Sequence, residues 1–266
     1  MKTVGVFDSG VGGLSVLRAL LAELPGVRFV YVADSAYAPY GERTVAEVTE
    51  RSERITTWLR HTHHIDALVV ACNTATALAI DSLRATHPDL PIVGVEPALK
   101  PAAAMSHTRH IGVLATRGTL NSERFARLRA QLESVASSPL HFICQPCDGL
   151  ADAIERDDLQ TQQALCERYV TALRDKAPGD MDTVVLGCTH YPFAADAMAQ
   201  LLGPGVALID TGEAVARRTR DVLNMSGTND TAARAPVLVS TGDPTTLSLA
   251  ARRWLGLPTC AEKLVT

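Results

Sequence analysis

A chain of 266 residues, 47% apolar, is long enough for one large domain or two small ones with a sizeable core. A net charge of −4 argues against a nucleic-acid-binding face, and no apolar run reaches the roughly 18 residues of a membrane span. The six cysteines (Cys72, Cys144, Cys147, Cys166, Cys188 and Cys260) are scattered through a chain too large to need disulfide staples, and no signal-peptide core fits the N-terminus, so a cytoplasmic protein with reduced thiols is expected.

The run VGVF at 4–7 predicts a strand that ends at DSGVGG, residues 8–13. These glycines meet neither the P-loop nor the G-x-G-x-x-G pattern. Asp8 is the telling residue. A carboxylate facing a helix N-terminus repels phosphate, yet it holds an ammonium while the helix amides hold a carboxylate, which suits an amino-acid zwitterion. Capping of the helix by Asp8 or Ser9 is the structural alternative. Leu14 to Leu24 predicts that helix, stopped by Pro25-Gly26. RFVYVA at 28–33 predicts a second strand, followed by the turn DSAYAPYGERT at 34–44, where the backbone of Pro39-Tyr40-Gly41 suits close approach to a small ligand. A helix is expected from Val45 to Arg60, with Thr44 and Glu47 as a capping box and Val45, Val48, Ser52, Ile55 and Leu59 on one face. His61, His63 and His64 are read as its C-terminal end rather than as metal ligands.

ALVVA at 67–71 and IVGV at 92–95 predict further strands, the first leading into Cys72 with Asn73 or Thr74 as N-cap of the next helix. In RFARLRAQLE, Phe125, Leu128 and Leu132 form the inward face of a helix. SSP at 137–139 and GTNDTAARAP at 227–236 read as loops. Cys144-Gln-Pro-Cys147 is a lone C-x-x-C without a second ligand pair, so no metal site is expected there. VVLG at 184–187 leads into Cys188 as ALVVA leads into Cys72, with Thr189 as the expected cap and His190 in the first turn of a helix, within reach of a thiol or a substrate oxygen.

The two thiol-bearing segments form a repeat. DALVVACNT at 66–74 aligns with DTVVLGCTH at 182–190, 116 residues on, with Asp, Val and Cys identical. GVFDSGVGGL at 5–14 is echoed in GVLATRGTL at 112–120, and VGVEP at 93–97 in LIDTG at 208–212. Strands alternating with helices imply α/β architecture with parallel sheets, buried on both faces and flanked by helices. The expected arrangement is two pseudo-symmetric lobes, about 1–97 plus 210–266 and about 98–209, with an active site between them. Ligands of open parallel sheets bind beyond the carboxyl ends of the strands, where both cysteines are placed. A helix N-terminus there lowers a thiol's pKa toward that of a working base. Two such thiols flanking one substrate suit inversion of a stereocentre: one takes a proton from one face, and the other returns one to the opposite face. The four lysines, Lys2, Lys100, Lys176 and Lys263, suggest no pyridoxal phosphate site, so no cofactor is expected.

GVFDSGVGGLSV, ADSAYAPYGERT, ACNTATA, GVEPALKPA, LATRGTL, LGCTHYPF and LIDTGEAVARR, in that order, span nearly the whole chain. Through them it resembles the glutamate racemases of the cofactor-independent aspartate/glutamate racemase superfamily. The resemblance implies that Cys72 acts on D-glutamate and Cys188 on L-glutamate, assisted by Asp8 and His190 respectively, with Glu155 as a further active-site acid. It implies a substrate site lined by Ser9, Pro39, Tyr40, Gly41, Asn73, Thr74, Thr116, Thr119 and Thr189. It also implies a homodimer and a product, D-glutamate, that feeds peptidoglycan precursor synthesis in the cytoplasm. Aspartate or another amino acid is the alternative substrate, because one methylene in a pocket is worth only about 1–3 kcal/mol. A two-lobed amino-acid-binding module is the non-enzymatic alternative, and the paired thiols argue against it. Some members of the family are reported to inhibit DNA gyrase; no residue pattern in this chain speaks to that.

Overall fold

The structure, a computed structural model, describes residues 1–136, 138–177, 179–225 and 234–264. The loop readings at Ser137 and at 227–233 lie outside them. The chain forms two compact units, Met1–Val95 with Gly212–Thr266, and Glu96–Thr211.

The first unit begins with β1 (Thr3–Asp8), α1 (Leu14–Glu23), β2 (Arg28–Ala33), α2 (Val45–His63), β3 (Ala67–Val70), α3 (Asn73–Thr86) and β4 (Ile92–Gly94). The second unit holds α4 (Leu99–Met105), β5 (His110–Ala115), α5 (Arg117–Leu120), α6 (Glu123–Val135), β6 (His141–Pro146), α7 (Leu150–Glu155), α8 (Leu159–Lys176), β7 (Thr183–Gly187), α9 (Ala195–Leu202) and β8 (Ala207–Ile209). The chain then returns to the first unit with α10 (Gly212–Val222), β9 (Val237–Ser240), α11 (Pro244–Leu255) and β10 (Glu262–Lys263).

Both sheets are parallel throughout. The first runs β10-β9-β2-β1-β3-β4 and the second β6-β5-β7-β8. Each therefore places the thiol-bearing strand, β3 or β7, directly beside the first strand of its series, β1 or β5. Helices cover the strands, so β1, β3 and β7 are buried along their whole length. In the first unit Phe7, Val30, Val32 and Val70 pack against Ile55, Leu59, Ile80 and Leu83 of α2 and α3. Each such side chain contributes about 1.5–3 kcal/mol through burial. In the second unit Ile111, Val113, Phe142 and Val185 pack with Leu99 and Phe125, and Leu128 and Leu132 lie against that cluster, as the pattern of α6 predicts.

The α2 helix differs from expectation in three respects. It has the capping box, Glu47 N–H on Thr44 Oγ1 and Thr44 N–H on Glu47 Oε2, but it runs to His63 and ends with His64 in the left-handed region (φ 49°). Val45 is exposed rather than part of the inward face, because a side chain at the first helical position leans back toward the N-terminus and past the core. Arg51, a cation at an inward position between Val48 and Ile55, is buried instead.

The aspartates conserved within the repeat, Asp66 and Asp182, tie down the neighbouring strand. Asp66 accepts from Lys2 Nζ (2.8 Å) and from the Thr3 N–H that opens β1 (2.8 Å). Asp182 accepts from the N–H groups of His107 (2.6 Å) and Thr108 (2.9 Å), just before β5, and from the hydroxyls of Ser106 and Thr183. Partial burial would raise the Asp182 pKa, but these four donors outweigh it and hold the carboxyl well below its usual range. A depressed pKa contributes stability above the unfolded value, near 3.9, and that stability is lost as pH falls below it. Asp182→Asn turns an amide N–H₂ toward backbone donors, so a loss of about 1–3 kcal/mol at pH 7 is expected by urea unfolding. The gap between wild type and variant should narrow at pH 3; an equal gap at both values would refute the charge-dependent account.

Candidate active site

In the first unit, Asp8 ends β1 and is wholly buried. Its Oδ2 accepts the N–H of Gly13, the residue leading into α1, at 2.6 Å. Tyr31 of β2 reaches across to the same loop, its hydroxyl donating to Gly10 O at 2.6 Å. Only glycine fits at position 13, since an added Cβ would lie 2.7 Å from Asp8 Cβ and 2.8 Å from Tyr31 Oη.

Cys72 follows β3 at the point where Ala71 N–H still bonds to Phe7 O of β1, and this pairing sets the thiol beside Asp8 and Ser9. Cys72 Sγ lies 3.8 Å from Ser9 Oγ as donor and 3.5 Å from Ala75 N as acceptor. The thiol is thus itself the N-cap of α3, and Asn73 and Thr74 are buried first-turn residues rather than caps. The expected lowering of its pKa is overturned. Burial raises it first and the Asp8 charge adds to that, while the Ala75 N–H and Ser9 hydroxyl oppose the shift without cancelling it. The surroundings of Cys72 thus favour the neutral thiol. Among the described residues Asn73 Oδ1 is buried without a hydrogen-bond partner, a costly state that a donor such as an ammonium would relieve.

The turn at 34–44 contains the short 3₁₀ segment Tyr40–Glu42. Pro39 and Gly41 are half-buried and Tyr40 is buried, its hydroxyl donating to Asp34 Oδ2 at 2.6 Å. Asp34 also receives both ends of the Arg51 guanidinium, at 2.8 and 3.0 Å, and the Thr241 hydroxyl at 2.8 Å. Sequence reasoning passed over this network. The available signal was the repetition of Asp-Ser after β2, in VADS, as after β1, in VFDS, together with an arginine in the inward register of α2.

In the second unit, Thr116 after β5 caps α5, its Oγ1 accepting Thr119 N–H at 3.2 Å and donating to Thr119 Oγ1 at 2.9 Å. Cys188 follows β7 in a crowded position: a Cβ on Gly187 would meet Ala115 Cβ at 2.8 Å. The α-helix expected after Cys188 does not start there. Residues 188–190 form a turn, a 3₁₀ segment spans Tyr191–Ala194, and α9 comes after it. Thr189 is buried in the turn, and His190 rather than Thr189 holds the cap position, without a side-chain cap.

The turn brings His190 Nδ1 to 3.7 Å from Cys188 Sγ, and Nε2 to 2.7 Å from Oε2 of Glu155, the last residue of α7. Burial works to lower the His190 pKa, but the hydrogen bonds and charges of Cys188 and Glu155 prevail and hold it well above the ordinary range. A histidine so placed between sulfur and carboxylate, when protonated, stabilises negative charge on that sulfur. Tyr191 anchors the same turn, its hydroxyl donating to Cys147 O at 3.3 Å.

The two thiols therefore sit in unlike surroundings, Cys72 beside Asp8 and Ser9, and Cys188 beside His190. All six cysteines are free thiols. Among the described residues no group of three or more His, Cys, Asp or Glu is placed to hold a metal ion, and no helix is long and apolar enough to cross a membrane. A cavity of about 440 Å³ in the second unit, lined by Asp148, Asp152, Arg156, Arg168 and Tyr169, contains none of the expected site residues.

A family model described as Asp/Glu/Hydantoin racemase matches residues 4–219. The chain is 45% identical to the glutamate racemase of Ralstonia pickettii over 262 residues, covering 98% of this chain and 90% of that one. It is 49% identical to the glutamate racemase of Pseudomonas aeruginosa over 223 residues, covering 83% and 81%. The crystal structure of Escherichia coli glutamate racemase in complex with L-glutamate and the activator UDP-MurNAc-ala is similar over 99% of this chain and 98% of that one, with a TM-score of 0.86 and 33% identity.

Proposed function

The chain belongs to the Asp/Glu/hydantoin racemase family, and from that premise we propose that it interconverts L- and D-glutamate without a cofactor, using Cys72 and Cys188 as the two acid–base groups. The observation that carries this reading is that each repeat ends its buried central strand on a thiol with its own polar partner, Ser9 at Cys72 and His190 at Cys188. In the L-to-D direction, Cys188 as thiolate takes the α-proton, and the Cys72 thiol delivers its own proton to the opposite face of Cα. Cys188 is left as a thiol and Cys72 as a thiolate, so the next D-to-L turnover runs the same steps backward. His190, as imidazolium, supports the Cys188 thiolate; Asp8, whose carboxyl interacts with the Cys72 thiol, assists there.

The α-proton of an amino acid is a poor acid, so the carbanion requires donors at the substrate carboxylate and a site closed to water. Ser9, Thr74, Thr116, Thr119 and Thr189 supply hydroxyls, and the amides at the start of α3 supply N–H groups. Asn73 Oδ1 supplies the acceptor an ammonium needs. Pro39, Tyr40 and Gly41 offer a wall. Family membership extends the proposal to D-glutamate supply for peptidoglycan precursors, to a cytoplasmic location and to a homodimer.

Incubation of the purified protein with L-glutamate in D₂O, without added cofactor, tests the reading. Optical rotation should decay to zero while deuterium enters Cα. Inversion only after addition of pyridoxal phosphate would refute the thiol mechanism, and a higher kcat/KM with aspartate in a parallel run would replace glutamate as substrate.

A further inference from the structure

We propose that the buried network of Arg51, Asp34 and Thr241 is a positioning device that fixes the Pro39-Tyr40-Gly41 turn as a wall of the substrate site beside Cys72. The inference rests on the reading of Cys72 as a catalytic thiol. Asp34 follows β2 and Asp8 ends β1, each in an Asp-Ser pair, yet the Asp34 carboxylate serves the turn. Oδ1 accepts from Arg51 Nη2 and Thr241 Oγ1, both at 2.8 Å; Oδ2 accepts from Arg51 Nε at 3.0 Å and Tyr40 Oη at 2.6 Å. With two donors on each oxygen and no exposure, the carboxylate is already satisfied. Asp34 therefore acts on a substrate through Tyr40 rather than by contact.

Tyr40 packs in the same buried cluster as Cys72, and its 3₁₀ turn lies against α3, the helix that Cys72 caps. The opposite end of the network is anchored in the returning segment. Thr241 follows β9, its Oγ1 also accepts Ala36 N–H at 3.2 Å, and Lys263 Nζ of β10 donates to the carbonyls of Thr241 (2.7 Å) and Gly242 (2.5 Å). The turn is thus held at Ala36 directly, and at Tyr40 through Asp34, by a residue some 200 positions away in sequence. An apolar set of similar volume would fill this space with no desolvation cost. What the charged set adds is direction: three bonds from Arg51 and Thr241 orient the Asp34 carboxylate, and the fourth aims the Tyr40 hydroxyl at it.

Three full-length variants test the proposal. Thr241→Val keeps the side-chain shape and removes one donor to Asp34; Thr241→Ser restores the hydroxyl; Arg51→Met is the harsher change, because it leaves a buried carboxylate without its cation. For Thr241→Val, KM should rise about tenfold for both enantiomers with kcat within about threefold, the pattern of lost binding rather than lost chemistry. Amides of residues 36–43 should exchange with solvent about tenfold faster while those of β1 do not change. Arg51→Met should show the same pattern more strongly, and Thr241→Ser should return both readouts to wild type. Unchanged exchange in Thr241→Val overturns the proposal, as does faster exchange without a rise in KM. If the wild type fails to racemise glutamate, it is the catalytic reading that fails, and the exchange measurement still decides whether the network holds the turn.

Discussion

Cys72→Ala and Cys188→Ala should each abolish racemisation in both directions, while both variants should keep the wild-type circular dichroism and melt within a few degrees of it. The stability part follows from size: alanine removes one sulfur from a packed site, a smaller change than the large-to-small core substitutions that cost about 2–5 kcal/mol. The activity part follows from the division of labour. A general acid or base contributes typically about 10²–10⁴-fold, and inversion requires one group on each face, so the loss of either leaves no route to product. The isotopic signature is equally specific. Early in a D₂O reaction of the wild type, the product carries deuterium and the recovered substrate retains protium, because the proton returned comes from the second sulfur. A single base working on both faces would hand back its own proton and leave the product largely protiated. Near-native activity in either alanine variant, or early product that is mostly protiated, would end the two-base account.

The strands at 4–7, 28–33, 67–71, 92–95 and 184–187 could be read to within a residue or two because parallel sheets buried on both faces force unbroken apolar runs, and the ends of two of those runs marked the thiols; β6, β9 and β10 were not read. The repeat identified β3 and β7 as counterparts, and the same strand order in both sheets is its three-dimensional expression. What escaped were properties set by distant partners. The upward shift of Cys72 depends on burial and on Asp8, 64 positions earlier, whereas local reasoning saw only the helix N-terminus. The cap of α3 fell on Cys72 rather than Asn73 because one residue more or less of strand leaves the hydrophobic pattern unchanged. Asp34 and Arg51 are 17 positions apart and Thr241 is 207 from Asp34, separations that no periodicity encodes. Glu155 entered through family resemblance alone. Its pairing with His190, 35 positions on, is geometry that spacing does not reveal.

That pairing yields the second large effect. Glu155→Gln keeps an acceptor for His190 Nε2–H at the same place, so the ring stays oriented, but it removes the negative charge that helps keep the imidazolium protonated. Burial, which already works against the charged ring, then prevails and the His190 pKa falls. The sign for activity is fixed by the role of the cation. Support for the Cys188 thiolate is present while His190 is protonated and is lost as pH rises through its folded pKa. The alkaline limb of kcat should therefore move toward lower pH in the variant, with a deficit of about 10²-fold at pH 8 that shrinks as pH is lowered toward 6. Stability follows the same sign: a raised histidine pKa contributes stability that is complete below about 6.5 and lost as pH rises through the folded value, so the variant should melt lower at pH 7. Because L- and D-glutamate have equal free energy in water, kcat/KM must fall by the same factor in the two directions, and only its division between kcat and KM is free to differ. Superimposable pH profiles for wild type and Glu155→Gln would show that the carboxylate orients His190 without tuning its charge.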